Sequence, residues 1–172
     1  MQAWTAVYTW ATWQEFLSAG GSITGFPERR WSTVQRIVPG DLILAYLLGI
    51  SRYVGVLEVA GAPFKGYKPI WSSRLYPCRV PVQVRLALLP EYGVPVSALG
   101  GDLSYFQDPR TWAVHFRTAP IEETAPDAEV ILSALEAAAE EPLFRAYDPD
   151  RLALDALVYE TAAGVSPCQT RP

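Results

Sequence analysis

Residues 25 to 41 read GFPERRWSTVQRIVPGD, with the indole of Trp31 behind Glu28, Arg29 and Arg30 and ahead of Ser32 and Thr33. A tryptophan at such a junction is either a plug for the core or an exposed ring for a flat ligand. Its surroundings in the sequence bear on the choice. Five of the six tryptophans, at 4, 10, 13, 31 and 71, fall in the first ninety residues. The same stretch holds nine Lys and Arg against four acids, a balance of +5, whereas residues 91 to 172 hold five Arg against fourteen acids, a balance of −9. The net charge of −4 conceals this split, which points to a partner of one sign. Basic charge beside large aromatics is the combination that steers a polyanion and stacks a base. Arg29, Arg30, Lys65, Lys68 and Arg74 flank Trp31 and Trp71 in sequence and are the candidates for holding a nucleic-acid backbone. The acidic half reads as a solvated helical surface or as a docking face for a protein partner.

Other chemistry is thinly supplied. Cys78 and Cys168 lie ninety positions apart with His115 as the single histidine, which makes neither a four-ligand zinc site nor a disulfide framework. Neither a metal nor a cofactor is expected. There is no Gly-rich phosphate loop and no Gly-x-Ser-x-Gly elbow. A catalytic lysine needs a buried site that depresses its pKa, and Lys65 and Lys68 stand in a Gly- and Pro-rich loop that reads as exposed. No run of 18 apolar residues and no basic head with an apolar block occurs, so the expectation is a cytoplasmic protein with neither a membrane span nor a signal peptide.

The elements that must position these residues follow from periodicity. Residues 3 to 10, AWTAVYTW, read as a first strand, followed by a helix over ATWQEFLSA with Thr9 as a candidate cap and Gly20-Gly21 as its end. Ser32 is expected to cap one or two helical turns that Pro39-Gly40 stop. DLILAYLL and RYVGVLEVA, separated by Gly49-Ile50-Ser51, read as paired antiparallel strands, the first buried on both faces. CRVPVQVRLAL alternates, with Val80, Val82, Val84 and Leu86 on one face, and Pro81 marks it as an edge strand or a bulge. TWAVHF, 111 to 116, alternates as another strand with Trp112, Val114 and Phe116 on its core face. A helix begins at Pro126 and stops at Pro142, a second amphipathic segment starts with Asp148 as cap and Pro149 at its first position, and the last residues read as a disordered tail. One domain over residues 1 to 142, with a helical extension and flexible tail over 143 to 172, accounts for the chain.

In order and local sequence the chain resembles the EVE domain family and, more distantly, the YTH domains, small barrels of the PUA-like superfamily. Three stretches carry the resemblance. GFPERRWST holds Trp31-Ser32-Thr33, similar to the YTH Trp-Ser-Thr whose ring forms one wall of a cage around a methylated adenine. GDLILAYLLGISRYVGVLEV resembles the Gly-Asp and strand-turn-Gly-Val pattern of EVE domains. In YKPIW, Trp71 resembles the opposite YTH wall. The resemblance implies an α+β fold, a small mixed β-barrel surrounded by short helices, and a non-enzymatic reader that clamps one modified base, methylated or hydroxymethylated, between Trp31 and Trp71. Facing indoles hold a flat base at about 1–3 kcal/mol each, and a base in a duplex must first be flipped out. Ser32 and the amides after Trp31 would then bond a base edge or a phosphate. Departures from the pattern matter too. The chain has no Asn, the residue with which YTH domains read an adenine edge, and Thr9 and Trp10 occupy that neighbourhood; Trp10, Leu75 and Tyr76 are candidates for a third wall. Another PUA-like branch, the ASCH-type amidohydrolases, uses a Lys, Thr and Glu set on modified cytidine, for which Lys65, Lys68 and Glu58 would have to serve.

Overall fold

The computed structural model describes residues 1–154. The first strand, β1 (Ala3–Tyr8), leads into α1 (Trp10–Ser18) through Thr9, whose side chain accepts from the Thr12 amide while Thr12 answers to the Thr9 amide. This reciprocal capping box satisfies two donors that a helix start otherwise leaves open. Gly20 and Gly21, at φ of 101° and 63°, turn the chain out of the helix, a conformation that glycine adopts without steric penalty. β2 (Ile23–Phe26) follows, then a 3₁₀ turn (Glu28–Arg30), the one-turn helix α2 (Trp31–Val34) and the antiparallel pair β3 (Leu42–Leu47) and β4 (Arg52–Val59). The remaining elements are β5 (Phe64–Lys65), β6 (Cys78–Ala87), β7 (Val94–Pro95), a 3₁₀ segment (Trp112–Thr118), β8 (Ile121–Glu122), α3 (Ala125–Glu140) and α4 (Pro149–Leu152).

The strands form a mixed sheet in the order β2-β6-β4-β3-β1-β8, with β5 on β6 and β7 on β4, curled into a half-barrel with short helices around it. β1 and β3 are parallel, because α1, β2 and α2 supply the crossover that parallel neighbours require. Tyr8 and Thr24, on strands far apart in the sheet order, share a 2.5 Å hydroxyl bond across the curl. β3 shows why its sequence is uniformly apolar. Ile43, Ala45 and Leu47 enter one core cluster with Trp4, Trp13, Phe16 and Trp71, while Leu44 and Tyr46 enter a second with Phe116, Ile131 and Leu135 beneath α3. Asp41, just before β3, is buried and accepts from the Gln2 amide, the Trp4 indole and the Val38 amide at 2.9–3.1 Å. The Gly-Asp pair therefore ties the starts of β1 and β3 together.

Three expectations are corrected. TWAVHF is not a strand: residues 112–118 form a 3₁₀ segment that buries Phe116, and Val114, expected in the core, is exposed. A short run with apolar residues at 112, 114 and 116 fits either period, and packing against Tyr46 decided for the helical one. Ser32 is not a cap, since α2 begins at Trp31 without any side-chain cap. β6 is not an edge strand; it lies between β2 and β4, and Pro81 is tolerated because the β4 ladder ends at Val82, next to it. Alternation sets Arg79 on the face opposite Val80 and Val82, and there too the side chain is buried. The predicted cap and first turn at Asp148-Pro149 are present, and α4 docks Leu152 into the first core cluster. Cys168 and the predicted tail lie outside the described residues.

Candidate nucleic-acid interface

A cavity of about 430 Å³ opens where β1 and β3 end. Open parallel strands characteristically leave such a crevice beyond their carboxyl ends. Val7 and Thr9 enter it from the end of β1, Tyr46 and Leu48 from the end of β3, and Gly25, Phe26 and Pro27 from the end of β2. Trp112, Phe116 and Arg117 close one side from the 3₁₀ segment, Tyr76 enters from the long loop before β6, and Arg29 and Arg151 complete the lining. Phe116 lies flat on Tyr46, with ring centroids 3.8 Å apart and planes 5° apart. Both rings are buried and form the back of the cavity, whereas Trp112 and Tyr76 are half-buried and present surface to it. Thr9 and Thr12 contribute hydroxyls that bond one another at 3.1 Å.

Two features of the wall are under strain. Ser51 and Tyr76 are the non-glycine residues with positive φ among the described residues, at 54° and 46°, and both line the cavity. Such backbone costs on the order of 1–3 kcal/mol per residue and persists only where its surroundings over-determine it. For Tyr76 the determinant is visible. Arg79 Nε donates to the Tyr76 carbonyl at 2.8 Å, and its Nη2 donates to the carbonyls of Lys68 and Leu75 at 2.8 and 2.9 Å. The loop before β6 is thus wrapped around one buried guanidinium, which burial pulls below its ordinary pKa.

The sequence-selected residues divide around this site. Thr9 and Arg29 line the cavity. Trp31 and Trp71 do not. Trp71 is 5% exposed, donates its indole N–H to the Thr12 carbonyl at 3.0 Å, and carries the Arg79 guanidinium 5.3 Å from its ring centroid. Its far edge lies where a Cβ on Gly25 would stand, at 2.8 Å, so Trp71 is packed one layer behind the cavity wall with no open face for a base. Trp31 is half-buried, and Lys65 Nζ sits 4.7 Å over its ring. Lys65 also pairs with Glu28, which raises its pKa. Ser32 is exposed on α2, and Trp10 packs partly buried against the first core cluster. Arg30 donates to the carbonyls of Ala119 and Pro120 at 3.2 Å; burial first, then the neighbouring Arg29, pulls its pKa down. Lys68 is exposed and Arg74 half-buried, neither at the cavity.

The Lys, Thr and Glu set of an amidohydrolase is not assembled. Glu58 accepts from Arg85 Nε at 2.6 Å, Lys65 is held by Glu28, and neither Glu58, Lys65 nor Lys68 reaches the cavity. Among the described residues the lining offers no carboxylate, imidazole, thiol or amine. Among the described residues no group of three metal-ligating side chains occurs and no helix is long and apolar enough to cross a membrane. His115 lies outside the lining, bonded to buried Glu123 at 3.1 Å and stacked on Tyr105 at 3.6 Å, where it braces the 3₁₀ segment. Sequence reasoning missed Phe26, Tyr46, Tyr76 as a principal wall, Trp112, Phe116, Arg117 and Arg151. Three of them, Trp112, Phe116 and Arg117, come from the one 3₁₀ segment, Trp112–Thr118, most of which alternation had cast as a strand.

No family model matches the chain. It is 23% identical to a UPF0310 protein of Pyrococcus abyssi over 122 residues, which is 66% of this chain and 86% of that one. Among solved structures, the Mmi1 YTH domain in complex with RNA superposes with a TM-score of 0.58 at 10% identity, covering 85% of this chain and 84% of that one. The YTH domain of the Zygosaccharomyces rouxii MRB1 protein, solved with N6-methyladenosine RNA, gives 0.53 at 15% identity over 78% and 86%. The chain has the fold of the YTH domains on which it superposes.

Proposed function

We propose that this domain is a non-enzymatic nucleic-acid reader of the EVE type, which receives one modified base of DNA or RNA, methylated or hydroxymethylated, in the cavity beyond β1 and β3. The observation that carries the reading is the cavity itself: aromatic walls, arginines in the lining and, among the described residues, no carboxylate, imidazole, thiol or amine. Its volume falls within the roughly 300–1,000 Å³ of small-ligand sites. Fold likeness to domains solved with RNA supports the same reading, although fold alone does not assign function. The base-facing rings in this proposal are Trp112 and Tyr76, in place of the Trp31 and Trp71 pair. A methyl group on the base adds about 0.8 kcal/mol of burial, so discrimination follows from fit against these walls.

The rival, a protein-interaction module, draws support from the burial of Trp71. Titration of labelled trinucleotides and short duplexes, each with one central 5-methylcytosine, 5-hydroxymethylcytosine or N6-methyladenine beside unmodified controls, separates the two. The expected result is preference for one modified probe, weakened by about 1–3 kcal/mol in Trp112→Ala and Tyr76→Ala. Binding indifferent to modification, or untouched by both substitutions, overturns the proposal.

A further inference from the structure

Resting on that reading, we infer that the exposed face of the loop between β5 and β6 is a platform for the next nucleotide of the strand: Tyr67 stacks on the base beside the inserted one, and Lys68 meets a phosphate next to it. The preferred ligand is then at least two consecutive single-stranded nucleotides, and not an isolated modified nucleotide.

Charge names the class of partner. Between Glu58 and Glu91 the chain carries five Lys and Arg and no acid. Two carboxylates reach the neighbourhood from other elements and are engaged there: Glu28 pairs with Lys65, and Glu15 accepts from the Ser72 amide and hydroxyl at 2.6 and 3.3 Å. Lys68 is exposed and enters no ion pair among the described residues. Beside it Tyr67 is 64% exposed, with no side-chain hydrogen bond and no ring contact among the described residues. A bare ring next to a bare ammonium in a basic stretch suits a single strand, whose bases stack on the ring while its phosphates meet the cation.

The loop sets this platform beside the cavity. Phe64 and Lys65 pair with Arg79 and Cys78, and the Gly66 amide donates to the Pro77 carbonyl at 2.9 Å. One step further in the same antiparallel register, Tyr67 stands opposite Tyr76. Arg79 closes that step from the far side, donating from Nη2 to the Lys68 carbonyl and from Nε to the Tyr76 carbonyl, both at 2.8 Å. Tyr67 is thus bracketed by two residues tied to the Tyr76 segment, about one strand spacing of roughly 5 Å from the backbone of that cavity wall. The anchored loop offers one ring to the cavity, Tyr76, and one to solvent, Tyr67. Such fixing lowers the ordering cost of binding a nucleotide continuous with the inserted one. Stacking reads no base edge, so the platform adds affinity without selecting the flanking base.

The test uses the full chain and the modified trinucleotides described above. Each is compared with its modified nucleoside 5′-monophosphate and with trinucleotides in which the 5′ or the 3′ flanking residue is abasic. Tyr67→Ala is expected to weaken the trinucleotide about 5- to 10-fold and to leave the monophosphate as it was. Tyr67→Phe should retain the affinity, because the ring and not the hydroxyl makes the stack. On one of the two abasic trinucleotides Tyr67→Ala should make no difference, which identifies the stacked side. Lys68→Gln should lower the slope of log K against log salt by about 0.7, the value for one phosphate contact on a single strand. Equal weakening of trinucleotide and monophosphate by Tyr67→Ala overturns the platform. Trinucleotide affinity untouched by Tyr67→Ala, yet lowered by Trp112→Ala and Tyr76→Ala, overturns the platform alone and returns this face to a protein partner. Absence of binding by the unsubstituted protein to every probe sinks the reader and the platform together.

Discussion

Two buried arginines organise the two flanks of the cavity, and they do so in the same way with different results. Arg79 donates three hydrogen bonds to the carbonyls of one loop and thereby fixes an aromatic wall, Tyr76. Arg52 donates three to carbonyls of two segments and thereby fixes the strap that carries a cation, Arg151. The Arg79 flank also holds core: Trp71 packs under the guanidinium and against Gly25, and Tyr76 meets Trp71 edge-on at 5.3 Å. The Arg52 flank is peripheral, with Ala146, Asp148 and Pro149 exposed. Shape and charge at the cavity are therefore set by separate devices, and losing one should not mimic losing the other.

The largest effect should come from Arg79→Ala. It leaves three carbonyls without a charged donor, frees Tyr76 from its strained conformation and uncovers Trp71, at a cost of about 3 kcal/mol or more. Urea unfolding measures this, and discrimination between modified and unmodified probes should vanish. Arg52→Ala should cost about 1–3 kcal/mol, expose residues 143–151 to limited proteolysis, and keep discrimination. Loss of discrimination in that variant as well would erase the distinction between the flanks.

A smaller, pH-dependent effect should appear at Asp127, at the start of α3. Burial alone would raise its pKa, but hydrogen bonds from the Ser104 hydroxyl and amide and from the Thr124 hydroxyl, at 2.5–2.8 Å, outweigh it and hold the carboxyl below its ordinary value. The folded pKa thus lies below the unfolded value of about 3.9, so the stability it contributes is complete above that pH and is lost as pH falls through the folded value. Melting curves between pH 5 and pH 2 should show the loss, and Asp127→Asn should flatten it without touching either flank of the cavity. The smallest effect on binding is expected from Trp31→Ala: losing its contacts with Lys65 and with the first core cluster lowers the melting temperature, and binding to modified probes does not change. A large binding loss there would return the base to the Trp31 side and sharpen the comparison against the cavity.

What was legible in the sequence was whatever depends on neighbours along the chain. The strand pair around Gly49, the double-sided burial of Ile43 to Leu47, the Thr9 cap and the helix bounded by Pro126 and Pro142 follow from periodicity and capping, and each is present. The resemblance that set a base between Trp31 and Trp71 also named Thr9 and Arg29, which line the cavity, but not Tyr46, Trp112 or Phe116 among its walls.

Only the tertiary structure decided which aromatics face outward. Trp71 is withdrawn because Arg79 turns inward and Gly25 lacks a side chain, two facts that alternation along β6 does not encode. Trp112 and Phe116 become a wall because Tyr46, some seventy residues earlier, offers a ring to stack on. Arg29, Arg117 and Arg151 line one cavity although they stand on elements remote in sequence. Local pattern determines elements through short-range sterics and hydrogen bonding, whereas a cavity is the space that distant elements leave between them.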